Sequence, residues 1–352
     1  MNKKIVIICS VLAVLLLGVI GVAFYKLYFS PKGDSEQVVD NRSDALSAVP
    51  ADAIFVYDFA TLGDAPFGVE KDYDGEFMKM FKLCQESLPK CGAAVSLHYS
   101  AKNTVSLLLV VSLEESKNKE IAQEFLDDSC SGVINKKYGN TIISKAVIPE
   151  VSYAFYNNFL VASTSHVVVE SSIRHLESRS SVTDNELYSK MEKMVSGSKI
   201  LYINHQNLGK LFSGTVNYDY LKFANFFSSF YTWSGYSIDI SENLAVAEGQ
   251  GINVKDEGNF SNVFSRQKAK VSTVYEILPH NTDYVITTPI SDPEGYIDSY
   301  VSYLEAVKKI NDYNYLNTIV SKKDGVKRIS PREWFLGLDV DEITVASVPQ
   351  GD

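Results

Sequence analysis

Residues 49–56 read VPADAIFV, and residues 278–285 read LPHNTDYV. Both follow one pattern: an apolar residue, proline, any residue, Asp or Asn, a small residue, any residue, an aromatic residue and valine. Proline fixes φ, and Asp or Asn two places later bonds the backbone locally, so the pattern predicts a turn. The aromatic and β-branched residues that follow predict that each turn begins a strand.

The chain after the first turn predicts a helix and then two strands. In residues 76–87, EFMKMFKLCQES, the apolar side chains recur at helical spacing. Residues 93–99 and 104–113 are β-rich and are separated by a short polar turn. We therefore expect a strand, a helix and a two-stranded hairpin in that order.

The chain after the second turn repeats the beginning of this order. Residues 296–310 have helical spacing, and residues 342–348 predict a strand, after which the partner strand is missing. Pro50 and Pro279 lie 229 positions apart (279 − 50). We infer an internal repeat whose second copy is incomplete.

Helical and strand-like stretches alternate irregularly between the two turns. Residues 139–147 and 151–162 predict hairpin strands that turn at 149–150 and 157–158, and residues 166–177 predict a helix. This order predicts an α+β fold with mostly antiparallel sheets and packed helices. The predicted divisions are an N-terminal transmembrane signal anchor (1–28), a polar tether (29–48), a first repeat unit (49–277) and the start of a second, incomplete unit (278–352).

The N-terminus has the properties of a membrane segment. Residues 5–25, IVIICSVLAVLLLGVIGVAFY, contain neither charge nor proline, and a helix of this length spans roughly 31 Å, the thickness of a hydrocarbon core. Lys3 and Lys4 precede it, which predicts a cytoplasmic N-terminus and an exported C-terminal part. We expect a single-pass inner-membrane protein with its folded part in the periplasm; cleavage as a signal peptide is the alternative.

The charge balance excludes one class of partner. The formal net charge is −10, although residues 1–30 carry three lysines and no acid. The exported part is therefore strongly acidic, which argues against binding to a nucleic-acid phosphate backbone.

Three cysteines lie outside the apolar segment: Cys84, Cys91 and Cys130. Cys84 and Cys91 flank the helix-breaking pair Leu88-Pro89, so a short loop could join them in a disulfide. Buried reduced thiols that act as small hydrophobes are the equal alternative.

Motifs for catalysis, cofactors or metals are missing from the sequence. The five histidines show neither H-x-H nor H-x-x-x-H spacing, and the cysteines show no C-x-x-C. Gly249-Gln250-Gly251 is the only G-x-G, and Val254 replaces the third glycine of a dinucleotide site, so this tripeptide predicts a turn. We expect no catalytic, cofactor-binding or metal-binding residues and a non-enzymatic role, with an envelope hydrolase that uses a carboxylate pair as an alternative.

One segment is unusually aromatic. Residues 218–236 read YDYLKFANFFSSFYTWSGY. A core helix followed by a strand from Trp233 is one interpretation, and a hydrophobic surface for a partner, a lipid or a hydrophobic peptide is another. The residues of that predicted surface are Tyr220, Phe223, Phe227, Phe230 and Trp233.

Four features together resemble one family: the opening at Pro50, residues 153–165 (YAFYNNFLVASTS), residues 184–191 and the restart at Pro279. They resemble the exported bacterial proteins grouped as domain of unknown function 3352, over about residues 45–352. The resemblance implies an envelope protein with an N-terminal membrane segment and brings no catalytic motif. We therefore expect a membrane-anchored, non-enzymatic binding or assembly component of the bacterial cell envelope.

Overall fold

The computed structural model describes residues 44–65, 75–102, 104–114, 116–215, 228–241, 244–254, 258–321 and 330–348. Within them the chain forms two compact units. The first unit includes Thr232–Ile252 and the described residues up to Ser228, and the second includes Ser229–Tyr231 and the described residues from Asn253. The predicted anchor and most of the tether fall outside these ranges, and no helix inside them is long and apolar enough to cross a membrane.

The first unit is built on a large antiparallel sheet. Its strands are β1 (Phe55–Phe59), β2 (Ala93–Ala101), β3 (Thr104–Ser112), β4 (Ile134–Tyr138), β5 (Thr141–Lys145), β6 (Ser152–Tyr156), β7 (Phe159–Ser163), β8 (Lys199–Asn204), β9 (Trp233–Ser241) and β10 (Leu244–Ile252). They lie in the order β10-β9-β8-β1-β2-β3-β7-β6-β5-β4, and each neighbouring pair is antiparallel. The predicted α+β class with antiparallel pairing is confirmed.

Helices cover both faces of this sheet. They are α1 (Glu76–Ser87), α2 (Ser116–Ser129), α3 (His166–Ser178), α4 (Glu186–Glu192) and α5 (His205–Thr215). The strand β1 shows the division, because successive side chains of a strand point to opposite faces. Val56 packs in a core with residues of α3 and α4. Tyr57 and Phe59 pack in a second core with residues of α1 and α2.

Most elements predicted in this unit are confirmed. Helix α1 has the predicted bounds, and β2, β3 and α3 match their predicted ranges within a few residues. The turns predicted at 149–150 and 157–158 do separate β5, β6 and β7. Strand β4 was not predicted, because INKKY lies at the sheet edge and lacks the apolar alternation that marks a strand.

The turn predicted at Gly249-Gln250-Gly251 is wrong. These residues lie within β10, where Gly249 is opposite Tyr236 of β9. A Cβ atom on Gly249 would lie 2.0 Å from the carbonyl oxygen of Gly235. The glycine therefore allows a close approach between two strands rather than a change of chain direction.

The second unit contains a two-stranded sheet and three longer helices among its described residues. They are β11 (Tyr284–Pro289), α6 (Pro293–Ala306), α7 (Ile310–Ser321), α8 (Pro331–Gly337) and β12 (Glu342–Ser347), with β11 and β12 antiparallel. Asp292 begins α6 by accepting a 2.9 Å hydrogen bond from the Gly295 amide, with proline in the first turn. The strand predicted at 342–348 is confirmed. The helix predicted at 296–310 is present, but it runs from Pro293 to Ala306 and a separate helix begins at Ile310.

Residues 258–277 belong to the second unit and not, as predicted, to the first repeat unit. The reason is a set of contacts with β12. Glu342 accepts hydrogen bonds from the Ser272 hydroxyl and the Thr273 amide, and Lys270 pairs with Asp341. These contacts span about seventy positions, so no local pattern could reveal them.

Candidate functional site

A chain of three polar side chains lies at the end of the sheet where the first turn enters β1. His98 Nδ1 is 3.1 Å from Asp52 Oδ1, and His98 Nε2 is 2.8 Å from Ser96 Oγ. A carboxylate only accepts hydrogen bonds, so Nδ1 carries the proton that faces Asp52. His98 Nε2 and Ser96 Oγ share the second hydrogen bond, and its direction depends on whether Nε2 also carries a proton.

The sequence positions these groups through a strand and a turn. Ser96 and His98 are two positions apart on β2 and therefore point to the same face. Asp52 belongs to the turn before β1, where the Ala53 amide donates to the Pro50 carbonyl at 3.1 Å. The side chain of Asn207, in α5, donates to the Asp52 carbonyl oxygen at 3.1 Å. These backbone bonds hold the carboxylate beside the imidazole.

The charge of Asp52 is stabilised by its surroundings. Its hydrogen bond with His98 lowers the pKa of the carboxyl group, burial acts in the opposite direction, and the charges of His98 and His175 lower it further. The net result is a pKa below the usual range for aspartate. The carboxylate is therefore ionised at neutral pH and accepts hydrogen bonds.

Asp52, His98 and Ser96 follow the order of a nucleophilic triad, but the solvent-accessible group is the carboxylate and not the serine hydroxyl. The Asp52 side chain is largely exposed, whereas Ser96 is fully buried and His98 nearly so. A triad needs its serine oxygen within reach of a substrate carbonyl. The three groups are therefore arranged to tie the entry of β1 to β2 rather than to attack a substrate.

A second histidine–serine pair lies in the same unit. His205 Nε2 is 2.8 Å from Ser234 Oγ, and both side chains are buried. His205 begins α5 directly after β8, and Ser234 is on β9. Neither histidine pair was predicted from the sequence, because neither has metal-ligand spacing. The Ser-x-His spacing within β2 was the available signal for the first pair.

The predicted disulfide between Cys84 and Cys91 is not formed in this structure. Cys84, Cys91 and Cys130 are all buried in the core that contains α1 and α2. Burial raises the pKa of the Cys84 thiol far above its usual value, and the neighbouring Cys130 and Cys91 raise it further. Thiols in such surroundings are poor nucleophiles.

The predicted aromatic surface is not assembled by the described residues. Tyr220, Phe223 and Phe227 lie outside them. Phe230 is half-buried in the second unit, with its ring 5.8 Å from that of Phe260. Trp233 is buried in the first unit, begins β9 as predicted, and contacts Tyr188 edge-on at 5.6 Å. Trp233 is therefore a core residue, which corrects its assignment to a partner surface.

An apolar surface lies instead on one side of the β11–β12 sheet. Ile286 is opposite Val345 and Thr288 is opposite Ile343, so all four point to the same face. The side chains of Ile286, Ile343 and Val345 are 54%, 37% and 59% exposed. We refer to these four residues as the Ile286 face.

The other side of this small sheet is buried and polar at its centre. Thr287 is buried, and its hydroxyl lies 3.0 Å from that of Thr344. Thr287 and Ser272 both donate to Glu342, whose pKa is lowered because these hydrogen bonds outweigh the effect of burial. Among the described residues of the two strands, the large aliphatic residues that are exposed lie on the Ile286 face.

Comparisons with known proteins identify no relative. No protein-family model matches the chain, and neither a curated protein nor a solved structure matches it. Within the part of the chain that the structure describes, no group of three or more His, Cys, Asp or Glu side chains could hold a metal ion. The resemblance to domain of unknown function 3352 stays a prediction.

Proposed function

We propose that this chain is a membrane-anchored, exported binding or assembly component of the bacterial cell envelope. The apolar N-terminal segment preceded by Lys3 and Lys4 supports an inner-membrane anchor, and the acidic remainder supports a role on the exported side. The resemblance to domain of unknown function 3352 supports the same assignment. The function would be to hold a partner near the membrane rather than to catalyse a reaction.

The observation that carries the binding role is the Ile286 face. Exposed single aliphatic residues are ordinary, but a contiguous set on one sheet face indicates an interaction surface. The three aliphatic residues lie on two adjacent strands, with Ile286 directly opposite Val345. A partner that covered this face would remove their side chains from water.

The second unit is proposed to repeat the start of the first. The Ala53 amide donates to the Pro50 carbonyl at 3.1 Å, and the Thr282 amide donates to the Pro279 carbonyl at 3.1 Å. Residues 53 and 282 are 229 positions apart, as are residues 50 and 279. The same turn bond therefore occurs at the same place in both motifs.

The bond that starts strand pairing supports this repeat as well. The Ile54 amide donates to the Leu97 carbonyl at 2.9 Å, and the Asp283 amide donates to the Ser347 carbonyl at 2.9 Å. By this correspondence Tyr57 is equivalent to Ile286, and Val95 is equivalent to Val345. Tyr57 and Val95 are buried, so the repeat predicts that Ile286 and Val345 are covered in the working assembly.

A crosslinking experiment tests the proposal. A photoreactive amino acid replaces Val345 in the full chain, and a control chain carries it at Val271, which is 63% exposed outside the Ile286 face. We expect a discrete adduct in the membrane fraction for position 345 only. Recovery of the chain in the soluble fraction, or equal crosslinking at both positions, would contradict the proposal.

A hydrolase is the second candidate, and the Asp52–His98–Ser96 order is the observation that favours it. A fluorophosphonate probe, which labels reactive serines, tests it directly. Labelling that Ser96→Ala abolishes would establish the hydrolase. We expect none, because the Ser96 side chain is fully buried. A carrier of lipid or hydrophobic peptide at residues 218–236 stays a prediction.

A further inference from the structure

We propose that the Ile286 face binds an amphipathic α-helix of about three turns that carries basic residues beside its apolar stripe. This inference rests on the proposed binding function and adds the class of partner. The partner is a helix of another polypeptide rather than a second copy of this chain.

The first unit shows, within one chain, the kind of helix-on-sheet packing that we propose. Its equivalent face is formed by β1 and β2, and α1 closes it in a continuous apolar core. The rings of Phe59 on β1 and Phe81 on α1 have centroids 6.4 Å apart. The residues of α1 that are buried in this core are Phe77, Met80, Phe81 and Cys84. A helix with apolar residues at i, i+3, i+4 and i+7 is thus what covers this type of sheet face.

Helix α6 holds the corresponding place in the second unit, but its aromatic side chains pack elsewhere. Tyr303 contacts Phe260 edge-on at 5.3 Å, and Tyr296 lies 6.1 Å from Phe264. Tyr296 also stacks on Phe335 of α8 at 6.0 Å. These aromatic side chains of α6 therefore pack on Phe260, Phe264 and Phe335. Ile286 and Val345 remain exposed.

The dimensions of the face set the length of the partner helix. Strands β11 and β12 each contain six residues, which extend for roughly 20 Å. A helix of about 12 residues is roughly 18 Å long. Helix α1 has 12 residues, which agrees with that length.

The charges around the face favour a basic helix. Residues 283–292 and 339–348 contain five acidic residues and neither lysine nor arginine. Asp341 pairs with Lys270, Glu342 lies on the opposite side of the sheet and Asp292 caps α6, which leaves Asp283 and Asp339. Asp283 and Asp339 are exposed at opposite ends of the sheet. Lysine or arginine beside the apolar stripe would complement them.

The same charge argument disfavours a second copy of the chain. Two copies that met at this face would bring Asp283 and Asp339 of each toward the same residues of the other. The net charge of −10 adds a repulsion between copies at longer range. Both effects strengthen the binding of a basic partner, and both weaken the association of two copies of this chain.

Synthetic helical peptides provide the test. The basic probe is the sequence of residues 76–87 with Glu76→Lys, Glu86→Lys and Cys84→Ala, and the acidic probe has Lys79→Glu, Lys82→Glu and Cys84→Ala. Each probe is fluorescently labelled and titrated with the full chain in phosphatidylcholine nanodiscs, with empty nanodiscs as the blank. We expect the basic probe to bind at least tenfold more tightly than the acidic probe, and its affinity to fall with added salt.

Matched variants locate the binding site. Val345→Lys removes an apolar contact and places a cation opposite the basic helix, so we expect at least a tenfold loss of affinity. Val271→Lys makes the same change in charge outside the face and should leave affinity within about twofold. Asp283→Asn and Asp339→Asn should each weaken the basic probe about two- to threefold and reduce its salt dependence. Unchanged near-ultraviolet circular dichroism shows that each variant is folded.

Several results would overturn the inference. Binding of neither probe, equal binding of both, or equal effects of Val345→Lys and Val271→Lys would each do so. A dimer in sedimentation that Val345→Lys abolishes would identify a second copy as the occupant instead. If position 345 crosslinks to a partner but neither peptide binds, the helical partner is rejected and the proposed binding function stands. If neither crosslinking nor peptide binding is observed, both the helical partner and the binding function are rejected.

Discussion

Asp52 and His98 are 46 positions apart in the chain and lie 3.1 Å apart in the structure, carboxylate oxygen to imidazole nitrogen. Asp52 belongs to the turn that precedes β1, and His98 belongs to β2, the strand beside it. The contact therefore links the sequence motif that opens the first unit to the centre of its sheet. It also gives the clearest prediction about pH.

Asp52 should make the first unit less stable in acid. Its pKa is lowered in the folded state, so its contribution is present above the unfolded value of about 3.9 and is lost as pH falls through the folded value. Asp52→Asn should cost about 0.5–1 kcal/mol at pH 7, because the carboxylate is largely exposed, and much less at pH 2.5. Urea unfolding between pH 2.5 and 7 measures this difference.

The control for this prediction is Asp239→Asn, which removes an exposed carboxylate on β9. We expect it to change stability by less than about 0.5 kcal/mol at either pH. An equal loss for Asp52→Asn at pH 2.5 and pH 7 would show that the charge of Asp52 does not contribute.

Ser96→Ala should destabilise the first unit by about 1–3 kcal/mol, because it leaves the buried Nε2 atom of His98 without its hydrogen-bond partner. Denaturant unfolding measures this loss. Ser178→Ala is a suitable control, since its exposed hydroxyl donates to the Arg174 carbonyl at 2.9 Å. Equal stability of the wild-type protein and Ser96→Ala would exclude a structural role for the buried chain of polar groups.

Replacing the two tryptophans should change the free energy of unfolding by very different amounts. Trp233→Ala should cost about 3–5 kcal/mol, because it empties a fully packed site in the first core. Trp334, on α8, is 59% exposed, so Trp334→Ala should change stability by less than about 1 kcal/mol. Thermal or urea unfolding of each variant, followed by far-ultraviolet circular dichroism, gives the comparison.

Fluorescence provides a second measurement on the same tryptophans. Trp334→Ala retains only Trp233, so its fluorescence should peak at short wavelength and resist quenching by iodide. Trp233→Ala retains only Trp334, so iodide should quench its fluorescence readily. Strong quenching of Trp233 would contradict its place in the core.

The thiols should be unreactive until the protein unfolds. Burial raises the pKa of Cys84 and of Cys130, and a protonated buried thiol reacts slowly. Ellman's reagent applied to residues 45–352 without reductant should detect few thiols in the folded protein and three after denaturation. Detection of only one after denaturation would show that two cysteines had formed a disulfide, and peptide mapping would test the predicted Cys84–Cys91 pair.

Glu342→Gln should destabilise the second unit by about 1–2 kcal/mol at neutral pH, because the carboxylate accepts hydrogen bonds from Ser272 and Thr287. Its folded pKa is lowered, so the difference from wild type should shrink as pH falls below about 4. Hydrogen exchange at β11 and β12 measures the effect locally. Glu305→Gln, an exposed change on α6, should leave exchange at these strands unchanged.

Local patterns predicted much of the secondary structure. The spacing of apolar residues in 76–87 predicted α1 with its observed bounds, and the β-rich stretches at 93–99 and 104–113 predicted β2 and β3. Strand β4 was missed because its residues are mostly exposed and carry no such alternation. The glycines of β10 were misinterpreted because glycine permits both a turn and a close approach of strands.

The candidate sites were much less predictable. Ser96 and His98 are neighbours on one strand, but Asp52 joins them only when β1 pairs with β2. The difference between buried Trp233 and exposed Trp334 depends on which elements pack over each. The Ile286 face was not predicted either, because the repeated motif suggested the same covering helix in both units.

The sequence alone determined the two Pro-x-Asp/Asn turns, the strands that follow them, most of the helices and the acidic balance of the chain, since each depends on residues close together along the backbone. Only the tertiary structure decided that β8 lies beside β1, that Asp52 meets His98, and that one apolar sheet face is closed while its counterpart is open. These features depend on burial and hydrogen bonding between segments far apart in the chain. The free energy of such contacts is set by what packs against a residue, which its own local sequence does not specify.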